Sequence, residues 1–332
     1  LKAALKLRAY LPMATGPIVT LTINPALDES SSVNRIVPDN KLRCEAPTYE
    51  AGGGGINVAK AIHRLGGNPV AVFTVGGPTG QRLHKLVKSE GVETIVIETK
   101  QWTRENFHIL ETSTGFQYRF GMPGTEMMPT EVRSILETLE EFDPKPSYII
   151  ASGSLPPGVP EDFYGQIAKI AQKQGARFIA DTSGDALRFA TESGVYMLKP
   201  NILELSQLVG VDKLEMDEVD DAARALIIRG QCEVVVVSMG AMGAMLVTED
   251  QVEHIPAPPV QPKSTVGAGD SMVAGIVWTL SQGKSLREAV RMGVACGSAA
   301  TMNSGSELFK MQDVNRLMDW LNRYGKRYSA TV

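Results

Sequence analysis

Short apolar runs rich in β-branched residues alternate with helix-period patterns along most of this chain. Strands are expected at 18–24, 69–75, 93–97, 148–152, 177–181, 197–199 and 234–238. Between them fall helices at 56–65, 80–90, 129–141, 161–174, 184–192, 202–209 and 217–229. Gly66, Gly67 and Gly91 stop two of these helices, and Thr130 is placed to cap a third. Parallel strands need long crossovers, and helices supply them. The pattern therefore implies an α/β fold with a mainly parallel central sheet and helices on both faces. Ligands of such sheets bind beyond the carboxyl ends of the strands. Segments 243–247 and 251–255 read as an antiparallel pair, and helices at 269–281, 286–300 and 312–323 complete the chain. The alternation breaks at about 28–50 and again at 102–120. Both stretches are β-like, and Ser113, Thr114 and Gly115 read as a hairpin turn. They predict a small separate sheet beside the main one.

The bulk numbers narrow the function. At 332 residues, with 43% hydrophobic and 21% charged residues, the chain is globular with a sizeable core. A net charge of −4 argues against nucleic acid as the main partner. Cys44, Cys232 and Cys296 are far apart and odd in number, so neither a disulfide framework nor a C-x-x-C site is expected. A reducing cytoplasm is the expected setting. The four histidines lack metal-ligand spacing, and no apolar stretch reaches membrane-spanning length. Residues 1–12 read as an extension outside the fold, with Met13 as the natural start, or alternatively as a transit segment. Residues 13–325 read as the folded domain and 326–332 as a tail.

Chemistry-bearing residues collect after strands or at helix starts. Thr265, Val266, Gly267, Ala268, Gly269 and Asp270 lead into an apolar helix. Small residues at a helix start let N–H groups converge on an anion, and the helix dipole favours negative charge there. Asp270 either caps that helix or takes a proton from an attacking hydroxyl. Gly52, Gly53, Gly54 and Gly55 precede Ile56 and Asn57. Four consecutive glycines suit close approach of a ligand to the main chain, or a flexible loop. The run matches neither a Walker A loop nor a dinucleotide fingerprint. Asn201 and Glu204 follow Lys199 at a helix start. Their spacing suits oxygen ligation of Mg²⁺ through water, or a capping box. Ser238, Met239, Gly240, Ala241, Met242 and Gly243 form a turn open to a flat base or a phosphate, or a plain connection. Ser152, Gly153, Ser154, Leu155, Pro156, Pro157 and Gly158 end another strand. Asp28, Arg43 and Arg104 lie in the small sheet, where paired arginines suit a phosphate.

Six motifs in one order resemble the PfkB (ribokinase-like) carbohydrate kinase family. They are Thr22-Ile23-Asn24-Pro25-Ala26-Leu27-Asp28, the glycine run to Asn57, Trp102-Thr103-Arg104-Glu105-Asn106, the Ser152 segment, the Lys199 segment and Thr265 to Asp270. The likeness runs from about Ile18 to Trp320. The Asn-Pro-Ala-Leu-Asp and Ser-Gly-Ser-Leu-Pro-Pro-Gly segments are similar to the branch acting on phosphosugars. Gly54 replaces a lysine common in members that take fructose 1-phosphate or tagatose 6-phosphate. The stretch from Lys41 to Pro47 is most similar to members that take fructose 6-phosphate.

The resemblance implies a ribokinase-like fold whose small sheet is a lid, with lids pairing into a homodimer. It implies ATP-dependent phosphorylation of O1 of fructose 6-phosphate, with the other two phosphosugars as alternative substrates. A sugar-phosphate or nucleotide sensor without catalysis is the alternative of another class. Asp270 would be the base, with Gly267, Ala268 and Gly269 forming the anion hole. Asp28, Gly53, Gly54, Gly55, Asn57 and Ser154 would bind the sugar. Arg104 would clamp its phosphate, with Lys41 and Arg43 beside it and Arg43 reaching from a neighbouring subunit. Lys199, Asn201, Ser238, Gly240, Gly243 and Thr265 would contact the nucleotide, and Asn201 and Glu204 would position Mg²⁺ through water. Ser264, Val266, Ala300, Asn303 and Gly305 would form a monovalent-cation loop suited to K⁺, ending at Glu307. Ser264 stands where the wider family commonly has aspartate.

Overall fold

A computed structural model describes residues 16–303, 305 and 307–328. The extension at 1–12, Met13 and residues 329–332 lie outside the described residues. Strand β1 (Ile18–Thr22) sits inside the large sheet, between β4 (Val70–Val75) and β8 (Tyr148–Ser152). Leu21 lies in register with Val72 on one side and Ala151 on the other. Beyond β4 lies β5 (Glu93–Glu98) at the edge. Beyond β8 come β9 (Arg177–Asp181), β10 (Val195–Leu198), β11 (Cys232–Ser238), β12 (Ala244–Val247) and β13 (Val252–Ile255). All pairings are parallel except those of β12 and β13, which are antiparallel. The chain builds outward from β1 first one way and then the other. The β1/β8 boundary is therefore where the winding direction reverses, and a crevice opens there beyond the strand ends.

Runs such as Val70–Val75 are buried along their whole length, as a sheet covered on both faces requires. One face packs under α3 (Pro129–Glu140), α4 (Phe163–Gln174) and α5 (Gly184–Glu192), with Leu139, Phe163 and Leu187 in the core. The other lies under α1 (Gly54–Arg64), α8 (Ala268–Ser281), α9 (Leu286–Thr301) and α10 (Met311–Tyr328). Helix α8 is buried along most of its length, so its start is held rigidly against the sheet. Each fully buried Val, Ile or Leu there contributes roughly 1.5–3 kcal/mol of burial free energy.

The remaining elements are α2 (Gly77–Ser89), α6 (Ile202–Val209), and α7 (Val219–Ile228) behind a short 3₁₀ turn at Met216–Glu218. The small sheet has the order β3-β2-β6-β7, from β2 (Ala26–Val33), β3 (Thr48–Gly52), β6 (Arg104–Glu111) and β7 (Gln117–Phe120). Asp28 is in register with Glu50 and Asn106, and the turn through Gly115 joins β6 to β7. No helix among the described residues is long and apolar enough to cross a membrane.

Several boundaries differ from expectation. Thr130 does not cap α3; it lies inside the helix, whose N-cap is Met128. Glu131 does that work, taking the N–H of Met128 on Oε2 at 2.7 Å and that of Lys100 on Oε1 at 2.6 Å. Helix α1 begins at Gly54 rather than 56, because Thr22 Oγ1 accepts the N–H of Ile56 at 2.9 Å and fixes the first turn. Asp217 sits in the 3₁₀ turn rather than in α7. Helix α10 runs on through Gly325 to Tyr328.

Candidate active site

The carboxyl ends of β1, β8, β9 and β10 meet the first turns of α1 and α8. Gly267 precedes α8 with φ 71°, a left-handed conformation that favours glycine, and this lets the chain enter the helix abruptly. The first N–H groups of a helix have no intrahelical acceptor, so a helix start of this kind can take up an anion. Gly54 packs against β8, and a Cβ there would strike Ser152 Oγ. The glycine run is thus ordered, with Gly53 as the N-cap of α1, rather than a flexible loop.

Asp270 lies in the first turn of α8 but makes no capping bond. Its carboxylate turns into the crevice. Oδ2 accepts from Asn57 Nδ2 at 2.9 Å, and Oδ1 from Ser152 Oγ at 3.4 Å. Burial pushes its pKa up to about 6, and the nearby Asp181 carboxylate adds to the rise. Asn57, Lys199 and Ser152 oppose the rise without cancelling it. A carboxylate held by two donors, with a pKa near neutrality, is suited to accept a proton from a hydroxyl.

Lys199 lies just past β10, with its side chain only 7% exposed, and its Nζ is 3.2 Å from Asp181 Oδ1. Burial disfavours its charge, but the carboxylates of Asp181, Glu204 and Asp270 outweigh that and raise its pKa. A Cβ on Gly269 would come within 3.3 Å of this ammonium, so a fixed cation adjoins the helix start. Asn201 and Glu204 form the capping box: Glu204 N donates to Asn201 Oδ1 at 2.8 Å, and Asn201 N to Glu204 Oε2 at 2.9 Å. No cluster of three or more His, Cys, Asp or Glu among the described residues could hold a metal. Two oxygen-bearing side chains of this kind would suit Mg²⁺ carried mainly by water and phosphate oxygens. Ser238 N donates to Pro200 O at 2.9 Å, and Ser238 bridges Asn201, so the Gly240 to Gly243 turn is tied to this corner.

Across the crevice, Asp28 is buried and accepts from Asn106 Nδ2 at 2.8 Å. Burial raises its pKa, against the pull of Asn106, His108 and Arg104. Arg104 donates from Nη1 to Met122 O at 2.7 Å and from Nη2 to Asn24 O at 3.0 Å. Its Nε is buried without a partner among the described residues. Asn24 Nδ2 in turn donates to Ser154 Oγ at 3.1 Å. Lys41 and Arg43 stand apart, exposed on the irregular segment between β2 and β3. Near the α8 turn, Ser264 Oγ donates to Gly305 O at 2.7 Å and accepts from Val266 N at 3.2 Å. Ser264 N donates to Thr301 O at 3.2 Å and Asn303 N to Ala300 O at 3.1 Å, so the two loop segments lie side by side. Thr265 O accepts from Ala268 N at the start of the same turn.

Ser152, Asn24 and Asn106 stand in the sequence motifs without an assigned role, and Asp181 stands in none; all four line the crevice. The available signal was position: Ser152 and Asp181 are the last residues of expected strands.

A cleft-facing carboxylate at a helix start, a glycine turn and a neighbouring ammonium lie together beyond the strand ends of a ribokinase-like fold. Residues 20–312 match the pfkB family carbohydrate kinase, and the chain belongs to that family. It is 44% identical over 307 residues to ATP-dependent 6-phosphofructokinase isozyme 2 of Escherichia coli, covering 92% of this chain and 99% of the relative. The crystal structure of phosphofructokinase-2 from Escherichia coli in complex with potassium superposes with TM-score 0.89 at 44% identity, over 93% of this chain and 100% of the other. The same protein in complex with substrates and products gives TM-score 0.88 at 44% identity, over 92% and 100%.

Proposed function

We propose that this chain transfers the terminal phosphoryl group of ATP to O1 of fructose 6-phosphate, giving fructose 1,6-bisphosphate and ADP. The observation that carries the reading is Asp270, aimed into the crevice from the α8 start by Asn57 and Ser152. The resemblance of the whole chain to 6-phosphofructokinase isozyme 2 supports the choice of sugar. Asp270 takes the proton of the C1 hydroxyl as its oxygen attacks phosphorus, and the bridging oxygen leaves with ADP. The N–H groups of Gly267, Ala268, Gly269 and Asp270 hold the transferring group. Lys199 offsets its charge; catalysis is chiefly positioning and charge stabilisation. Asn201 and Glu204 would hold Mg²⁺ through water, and the ion would supply positive charge to the nucleotide phosphates.

Asp28, Asn57, Ser154 and the Gly53 to Gly55 turn bind sugar hydroxyls. Arg104 contributes Nε and its positive charge to the existing phosphate, with Lys41 and Arg43 as further cations. The exposed Phe116, Tyr118 and Phe120 on β7 and its turn suit pairing with a second copy, which would bring Arg43 of one subunit to its partner's site. Ser264, Val266, Ala300, Asn303 and Gly305 serve as a K⁺ loop beside the anion hole. Measuring ADP release with fructose 6-phosphate, fructose 1-phosphate, tagatose 6-phosphate and free hexoses tests the assignment. Fructose 6-phosphate should give the highest kcat/KM. A higher value for either other phosphosugar would replace the proposed substrate.

A further inference from the structure

The turn after β11 is held from two sides. Inside it, Met239 N donates to Gly243 O at 2.9 Å, and Gly243 N to Gly240 O at 3.1 Å. Gly243 has φ 101°, and the main chain of Ile255 and Ala257 occupies the space a Cβ would need. The turn therefore rests against the end of β13. The second hold is a side chain: His254 on β13 places Nε2 2.8 Å from the carbonyl oxygen of Met242. A carbonyl only accepts, so Nε2 is the donor. The other ring nitrogen, Nδ1, is buried and has no partner among the described residues. The ring thus makes one bond and leaves a buried polar atom unmatched, an arrangement that costs stability. Strand β13 is an edge strand, and Arg287 on α9 braces it through Glu253 at 2.7 Å.

We propose that His254 is a positioning residue for the nucleotide. Through the Met242 carbonyl it fixes the height of the Gly240 to Gly243 turn, on which the flat base of ATP rests. The inference builds on the nucleotide-binding role proposed for that turn. Ser238 ties the other end of the same turn to Pro200 and Asn201, so the His254 bond adjusts the turn without moving the strand end that carries Lys199.

The test is steady-state kinetics of the full chain with MgATP and fructose 6-phosphate, for His254→Leu, His254→Gln and Gly240→Val. His254→Leu should raise KM for ATP about three- to tenfold, the loss expected for one hydrogen bond. KM for the sugar phosphate and kcat at saturating ATP should stay within about twofold, since neither depends on this bond. His254→Gln retains an N–H donor and should recover most of the ATP affinity. If Gly240→Val raises KM for ATP and His254→Leu does not, the role of His254 is wrong and the nucleotide site stands. If neither raises it, the nucleotide-binding reading of the turn fails. Equal changes in both KM values and kcat would mark His254 as a general fold residue and overturn the proposal. Should His254→Leu not fold, His254→Thr keeps a strand-forming residue and carries the same comparison.

Discussion

The two walls of the crevice are built differently. On the large-sheet side, Asp270, Asn57, Ser152, Asp181 and Lys199 bond to one another and sit at the ends of buried strands and helices. On the small-sheet side, Asp28 and Asn106 are paired, but Lys41 and Arg43 are exposed on irregular chain without a side-chain bond among the described residues. Phe116 and Phe120 of the same sheet are 65% and 49% exposed. The first wall is preorganised by one chain's own packing. The second presents charge and apolar surface that its own chain leaves uncovered. Chemistry should therefore depend on the first wall, and sugar-phosphate affinity on the second and on whatever covers it.

The sharpest way to break this division is Asp270→Ala. It should lower kcat by about 10²–10⁴-fold. The dissociation constant for fructose 6-phosphate should stay within about threefold, measured calorimetrically, because Asp270 acts chiefly on the reacting proton. Arg104→Ala comes next and should raise KM for the sugar phosphate about ten- to a hundredfold, the loss of a charged hydrogen bond. It also removes the donor from Asn24 O and Met122 O, so thermal stability should fall with it. A rise in KM for ATP instead would move Arg104 out of the sugar-phosphate site. Phe120→Glu should shift sedimentation toward the monomer and raise KM for the sugar phosphate several-fold, with kcat at saturation largely kept. An unchanged sedimentation coefficient would remove the small sheet from the assembly. The smallest effect belongs to Glu131→Ala, which should cost about 1 kcal/mol of stability in denaturant unfolding and leave kcat alone.

The large sheet was legible because its strands carry unbroken β-branched runs and its helices carry their own period. Asp270, Asn57 and Lys199 were legible because strand ends and helix starts carry ligands in such sheets. Which way Asp270 points was not: the first turn of a helix permits either a cap or a cleft-facing carboxylate, and only packing of α8 against α1 decides. The role of Ser152, and Asp181 altogether, stayed hidden because their contacts join residues 118 and 29 apart in sequence. Adjacency of β8 and β9 near α8 is a long-range fact that local pattern does not carry. At α3, Glu131 was overlooked for Thr130 because its two acceptor bonds reach Met128 and Lys100, and the second is not local.

The pKa of Asp270 has opposite consequences for stability and activity. Because its folded value is raised, from 3.8 to about 6, the protein loses stability as pH rises through that window and the buried carboxyl ionises. Activity gains over the same window, since only the ionised form can take a proton. The most direct test is therefore the pH dependence of kcat/KM for fructose 6-phosphate at saturating MgATP, which reports the base before the sugar binds. It should be flat above about pH 7 and fall about tenfold per unit below about 6. A kcat/KM that stays level down to pH 5, or rises as pH falls, would contradict Asp270 as the base.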